Sequence, residues 1–304
     1  MFIPPKVQFF CNSKCNLNCE FCVKSDIDLD VNMDMHTFKT YANKFIRFGT
    51  WQFELTPMVG ETFSDKSIVN RIKFLSEKGV RVSAFTNLIN VDSDIINKLK
   101  YFNNFYLYLS IYGNTEETFI RRTNGTKEAF HKFKTNYTDL YTHFIRSSKP
   151  AFNIGEITYR FKHDNFDNKN PIDFITNMLQ TFKLCENFYV FGDDYNWKDL
   201  IKVEKDLDTE PVKREVKGIC KQLINDIGVW PNGDVGICSG WFDVNKRMIL
   251  GNINESSLED IFKQDSLFTK IMIEQRSGLY RSLCSQCDYI TKNPDPFITY
   301  RIEN

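Results

Sequence analysis

Cys15-Asn16-Leu17-Asn18-Cys19-Glu20-Phe21-Cys22 places three cysteines within eight residues, directly after the β-type run Lys6–Phe10. Soft thiolates at this density on one short loop suit iron–sulfur ligation, and three of them hold three irons of a 4Fe–4S cube while leaving the fourth iron open. Zinc fits the same residue types. It prefers four closed ligands, and Cys11 would supply the fourth.

Outward from that loop, short runs rich in β-branched and aromatic residues alternate with helical patterns. The strands are read at Lys6–Phe10, Trp51–Leu55, Val80–Phe85, Phe105–Ile111, Phe152–Phe161 and Phe188–Phe191. Between them, Phe38, Tyr41, Ala42, Phe45 and Ile46 share one helical face, and Ile68, Ile72 and Leu75 repeat the pattern in a segment that Ser64 caps and Gly79 ends. Phe130, Phe133, Tyr137, Leu140 and Phe144 mark a longer helix, and Phe174–Phe182 another, entered by Pro171. This alternation predicts an α/β fold, a parallel sheet with helical crossovers over residues 1–200.

The character changes after Lys198. Residues 201–217 are dense in charge and read as a linker or solvated helix. Asn232-Gly233 between two apolar runs predicts a β-hairpin, and a helix is expected at Leu258–Phe262. Residues 218–290 thus form a small hairpin-plus-helix module, followed by a tail over 291–304.

Composition removes several function classes. Lysine plus arginine equal aspartate plus glutamate, 39 each, so the basic excess expected of a nucleic-acid binder is missing. No apolar run is long enough to span a bilayer. Met1–Lys6 lacks the features of a signal peptide, which predicts a cytoplasmic protein with reduced thiols. In that setting the nine cysteines read as metal ligands before they read as disulfides. Cys220, Cys238, Cys284 and Cys287 form a second group, with one pair at Cys-x2-Cys spacing, which suits zinc or an iron–sulfur cluster.

Cys-x3-Cys-x2-Cys after a first strand, with aromatic Phe21 before the last cysteine, resembles the radical S-adenosylmethionine (SAM) superfamily. Other segments resemble it in order. Thr56-Pro57-Met58-Val59-Gly60-Glu61 is similar to the Gly-Gly-Glu motif that receives the methionine amino group, with Val59 in place of the first glycine. Thr86-Asn87 is similar to a Thr-Asn turn. Ser110-Ile111-Tyr112-Gly113 with Arg122 is similar to the fourth-strand segment near the ribose and carboxylate, with Tyr112 where aspartate is commoner. The resemblance implies a partial (β/α)6 TIM-like barrel that binds SAM through a cluster on Cys15, Cys19 and Cys22. Its SAM contacts would be Phe21, Gly60, Glu61, Asn87, Ser110 and Arg122. Cys11 stands where the family has a small polar residue and is read as a strand-end thiol.

Pro231–Cys238, Leu250-Gly251-Asn252-Ile253 and Ser257–Ile261 resemble the SPASM/Twitch extension of these enzymes, and four ligands match the shorter, one-cluster Twitch form. The resemblance implies two 4Fe–4S clusters, SAM, and a flavodoxin- or ferredoxin-type electron donor. The expected activity is formation of a 5′-deoxyadenosyl radical and hydrogen abstraction from an unactivated carbon. The auxiliary cluster would relay an electron in oxidation of a small polar, carbohydrate-like substrate. Epimerisation would need a hydrogen donor, for which Cys185 stands against a reading as a buried thiol. Peptide maturation is the alternative; a first strand starting by residue 6 leaves little room for a leader-binding domain before it. A zinc-stabilised binding protein is the non-enzymatic alternative. The four histidines form no motif, and Asp193, Asp194, Asn196 and Trp197 follow the sixth strand, where substrate loops are expected.

Overall fold

Six β-type runs separated by amphipathic segments should build a parallel sheet, and the second to the sixth do. The computed structural model describes residues 1–26, 29–113, 115–144, 156–162, 188–191, 211–215, 218–238 and 248–292. In chain order these carry β1 (Lys6–Phe9), α1 (Met35–Phe48), β2 (Gln52–Glu54), α2 (Ile68–Glu77), β3 (Arg81–Thr86), α3 (Ser93–Leu99), β4 (Phe105–Ile111), α4 (Glu116–Thr123), α5 (Lys127–Phe144), β5 (Glu156–Lys162) and β6 (Phe188–Phe191). There follow β7 (Val212–Lys213), α6 (Lys221–Asn225), β8 (Ile227–Val229), β9 (Asp234–Gly236), β10 (Ile249–Asn252), α7 (Leu258–Ile261), α8 (Leu267–Arg276), β11 (Leu279–Tyr280) and α9 (Tyr289–Lys292). The helix expected at Phe174–Phe182, Cys185, and Asp193, Asp194, Asn196 and Trp197 lie outside the described residues.

Contacts divide the chain into two compact units. One comprises the described residues of Phe9–Lys39 and Gln52–Asp194; the other, those of Met1–Gln8, Thr40–Trp51 and Tyr195–Asn304. In the first, β2, β3, β4, β5 and β6 lie side by side in sequence order, every pair parallel. From β2 to β5, neighbours in sequence are neighbours in the sheet because the intervening helices carry the chain back to the next strand's start. Phe105, Leu107, Leu109 and Ile111 of β4 are buried, and on its other face Tyr108 stacks on Phe85 with ring centroids 4.5 Å apart. Phe9 packs edge-on to Phe38 and stacked on Phe53.

Two boundary readings change. Ser64 does not cap α2; it ends a 3-10 turn over Thr62–Ser64. The helix starts after Ser67, whose side chain makes no capping bond, and Gly79 follows its end as expected. Helices α3 and α4 carry too few apolar residues for a periodic signal. Their caps are what mark them: Asp92 accepts the N–H of Ile95 at 3.0 Å, and Thr115 that of Thr118 at 2.9 Å.

In the second unit β8, β9 and β10 form an antiparallel meander, with β1 beside β8. The Asn232-Gly233 signal delivers its hairpin: Val229 pairs with Val235, and Gly233 N–H donates to Trp230 O at 3.0 Å. Asn252 then explains its place in Leu250–Ile253. Its amide donates to Asn232 O at 3.0 Å and to Asp234 Oδ1 at 2.9 Å, while Asn254 reaches Asn232 O and the Tyr41 hydroxyl. Phe262 anchors the apolar side against Phe2, Phe48 and Phe268. The segment read as a charged linker contains β7, which pairs antiparallel with β11.

One buried charge fixes how the long loop after β1 ends. The loop closes on itself where Ser13 N–H donates to Val31 O and Met33 N–H to Cys11 O. Arg71, 1% exposed on α2, donates to the carbonyls of Met33 and Asp34 and pairs with Asp65 at 2.7 Å, its guanidinium over the Phe38 ring. Removing the cation strands a part-buried carboxylate and the carbonyls of Met33 and Asp34. We therefore expect Arg71→Met to cost about 3–5 kcal/mol, read from urea unfolding midpoints; a loss below about 1 kcal/mol, the scale of a surface pair, would contradict this role.

Candidate metal centres

The three-cysteine loop is shaped by the end of α4. A helix leaves its last carbonyls without intrahelical partners. Here Arg122 O accepts the N–H of Glu20 and Thr123 O that of Asn18, each at 3.1 Å. Asn124, left-handed at φ +48°, adds its amide to Asn18 O at 2.8 Å, and Cys22 N–H turns back to Cys19 O at 3.0 Å. Gly113 allows α4 to come this close, since a Cβ there would stand 2.5 Å from Phe119 N. Cys19 is buried, and Cys15 and Cys22 are half-buried. Burial pushes the Cys15 thiol up to about 11, with the charges of Glu61 and Cys22 adding to the rise and the Leu17 N–H and Lys24 opposing it. A thiol held protonated by burial, with a second cysteine close enough to add to the rise, is what a cationic iron centre relieves. Cys11 is different. It is buried, pushed up to about 12 by that burial, and the charges acting on it are those of Arg71 and Asp65.

The expected SAM-contact residues fall into two groups around this loop. Glu61 is 4% exposed, and burial raises its pKa against three bonds that favour the carboxylate. These come from Thr86 Oγ1 at 2.5 Å, Asn87 N–H at 2.9 Å and Phe63 N–H at 3.2 Å. Asn87 in turn donates from its amide to Asn16 Oδ1 at 2.8 Å, beside Cys15. Gly60 holds φ +143°, and a Cβ there would meet Lys14 O and Ser13 C at 3.1 Å, so the glycine lets this turn lie against the thiol loop. Leu88 also has positive φ, +65°, rare for a side chain of its size. Asn136 of α5 holds it there, donating to both Leu88 O and Ile89 O. Asn16 and Asn136 carry no motif that would single them out.

In the second group Phe21 lies 5.4 Å from the Tyr112 ring and 4.9 Å from the Arg122 guanidinium. Arg122 also pairs with Glu20 at 2.6 Å, so its side chain braces the thiol loop. Ser110 is buried near the end of β4, in register with Arg160.

The carboxy-terminal cysteines meet. Cys220, Cys238, Cys284 and Cys287 line one cavity, walled by Leu223, Ile237 and Ile290. Burial pushes the Cys220 thiol up to about 11, and that of Cys284 higher still with the charges of Cys220 and Cys287 adding to it. Four cysteines lining one apolar pocket, with Cys220, Cys284 and Cys287 near enough to feel one another's charge, fit a closed four-thiolate iron–sulfur site. Among the described residues no three His, Cys, Asp or Glu side chains are arranged to hold a single metal ion; the fit rests on the shared cavity. Arg214, inside the segment read as a linker, holds the frame. Its Nη1 donates to Cys284 O at 2.8 Å and Cys287 O at 2.9 Å, and its guanidinium carbon sits 5.5 Å from the centroid of the Tyr280 ring.

Residues 220–288 match the family model of SPASM, an iron–sulfur cluster-binding domain. Among solved structures, BtrN in complex with AdoMet and 2-DOIA matches with a TM-score of 0.57 at 16% identity, over 95% of this chain and 94% of that one. Streptococcus suis SuiB bound to precursor peptide SuiA matches at 0.57 and 14%, over 90% and 67%. Histidine-tagged anSMEcpe with bound AdoMet matches at 0.56 and 14%, over 93% and 91%. No curated protein sequence matches. At these identities the likeness is one of fold: the chain shares the partial-barrel fold of these proteins. It carries with it a SPASM iron–sulfur domain.

Arg214 yields a test of the second centre. Loss of its two charge-assisted bonds should free the Cys284–Cys287 turn. Arg214→Met is expected to speed chelator-driven iron release from the carboxy-terminal site about tenfold and to leave the amino-terminal site unaffected; equal release rates would contradict the clamp.

Proposed function

We propose that the chain is a radical SAM oxidoreductase that oxidises an unactivated carbon–hydrogen bond of a small polar substrate. Cys15, Cys19 and Cys22 hold a 4Fe–4S cluster with one iron left to SAM, and Cys220, Cys238, Cys284 and Cys287 hold a second, closed one. When bound, the first with SAM supplies a 5′-deoxyadenosyl radical and the second a one-electron acceptor. The observation that carries the reading is that all four carboxy-terminal cysteines line one apolar cavity.

The chain's own residues position and shield. Phe21, the Gly60–Glu61 turn, Asn87 and Ser110 stand at or beyond the carboxy-terminal ends of β1 to β4, the end at which parallel α/β barrels bind their ligands. The Glu61 carboxylate keeps its turn on Thr86 and Asn87, so the backbone of Gly60 and Glu61 is fixed as a surface for the methionine end of SAM. Phe21 and Tyr112 give an aromatic wall that excludes water beside Cys22. Reducing surroundings and a flavodoxin- or ferredoxin-type donor complete the proposal.

The end-to-end match with BtrN, whose structure holds 2-DOIA, favours the small-substrate reading. Matches to SuiB bound to SuiA, and to anSMEcpe with the Cp18Cys peptide at a TM-score of 0.51, favour a second reading, in which a peptide is modified. Among the described residues no helix is long and apolar enough to cross a membrane.

Cysteine replacement separates the two centres. The reconstituted protein should hold about eight irons. The Cys15→Ala, Cys19→Ala, Cys22→Ala variant should lose about half of them and all conversion of SAM to 5′-deoxyadenosine. The Cys284→Ala, Cys287→Ala variant should also lose about half but go on cleaving SAM without completing substrate oxidation. Undiminished cleavage in the triple variant would end the radical SAM reading.

A further inference from the structure

Gln275 is a polar residue where α8 should be apolar. It follows Phe268 and Ile271 at the i, i+3, i+7 spacing of the buried face and is 1% exposed. Its Oε1 accepts the N–H of Cys220 at 2.9 Å. That bond sets which way the amide faces, because a backbone N–H needs an acceptor and only the amide oxygen provides one. Nε2 is thereby left with two N–H donors, buried and without a hydrogen-bond partner among the described residues. Buried donors are seldom left unpaired, since the lost hydration is not repaid. Gln275 lines the cavity that holds the four cysteines, whose wall is otherwise largely apolar, and the nearby Tyr280 hydroxyl already donates to Gly218 O at 2.8 Å. A sulfur-rich, electron-rich group in that cavity would meet the donor.

We infer that Gln275 donates an N–H···S hydrogen bond from Nε2 to the iron–sulfur cluster held by Cys220, Cys238, Cys284 and Cys287 and raises its reduction potential. The inference rests on the proposed occupancy of that site. Reduction adds negative charge to the cluster, so an N–H dipole aimed at its sulfurs favours the reduced form. A higher potential suits a centre that takes an electron. Gln275 touches no substrate; it both positions Cys220 and tunes the cluster.

The test uses the reconstituted full chain, with Gln275→Met, which lacks the donor, and Gln275→Glu, which keeps an oxygen for the Cys220 N–H. Midpoint potentials are read by EPR-monitored redox titration, with iron and zinc assayed in parallel. Both variants should retain wild-type iron. At the wild-type midpoint, their reduced-to-oxidised ratio at the auxiliary cluster should fall about tenfold, a 59 mV drop for one electron, with the amino-terminal cluster unmoved. Full iron with an unmoved auxiliary potential overturns the inference and leaves the cluster assignment standing. Zinc in place of iron at the four cysteines of the wild-type protein overturns both. Should both variants fail to assemble, ENDOR of the wild-type protein with 15N-labelled glutamine side chains decides: a 15N coupling on the reduced auxiliary cluster supports the bond, and its absence overturns it.

Discussion

The barrel-side site hangs on one buried carboxylate. Glu61 takes three hydrogen bonds at its side chain, gives its own N–H to Lys14 O at 2.8 Å, and accepts from Asn12 at its carbonyl. Three segments far apart in sequence thus converge: the loop after β1, the turn after β2 and the end of β3. A carboxylate at this depth is tolerated only when its lone pairs are met, so the three segments must sit where they do or the charge is stranded. The thiol loop inherits its place through Lys14 and through Asn87 to Asn16. From the other side the last carbonyls of α4 meet the loop's own N–H groups.

The carboxy-terminal site is built by a different device. Its cysteines come from the start of α6, the segment after β9 and the turn after β11, and thiols alone give no reason for these to meet in the absence of a bound group. Two side chains hold the frame from outside the ligand set. Arg214 collects the carbonyls of Cys284 and Cys287, and Gln275 collects the N–H of Cys220. Part of the frame is therefore held by protein hydrogen bonds as well as by the thiols.

Much of this was legible in the sequence because it depends on short-range pattern. The β4 run Phe105–Ile111 was read to the residue, and Asn232-Gly233 announced its hairpin, since both follow from local backbone preference. The spacing of the two cysteine groups pointed to metal ligation, and the four of the second group do share one cavity. Less legible was whatever depends on a partner distant in sequence. Nothing local in Lys213-Arg214-Glu215 distinguishes a cysteine clamp from a solvated charge, and Ser64 looks like a cap until the turn made by Glu61 takes it. Arg122 resembles a SAM contact, and nothing local in the sequence announces that it also pairs with Glu20 and stands over Phe21 on the thiol loop. Gln275 did leave a trace, a polar residue on an apolar stripe, whose meaning appears only with Cys220 beside it.

The central claim is that two clusters differ in how many irons the protein ligates. Mössbauer spectroscopy of the 57Fe-reconstituted chain, recorded with and without SAM, tests it most directly. Two 4Fe–4S clusters should be present. Adding SAM should shift about one iron in eight, the site left open by Cys15, Cys19 and Cys22, and leave the rest unmoved. A spectrum of one cluster, or one with two clusters in which no iron responds to SAM, would contradict the account.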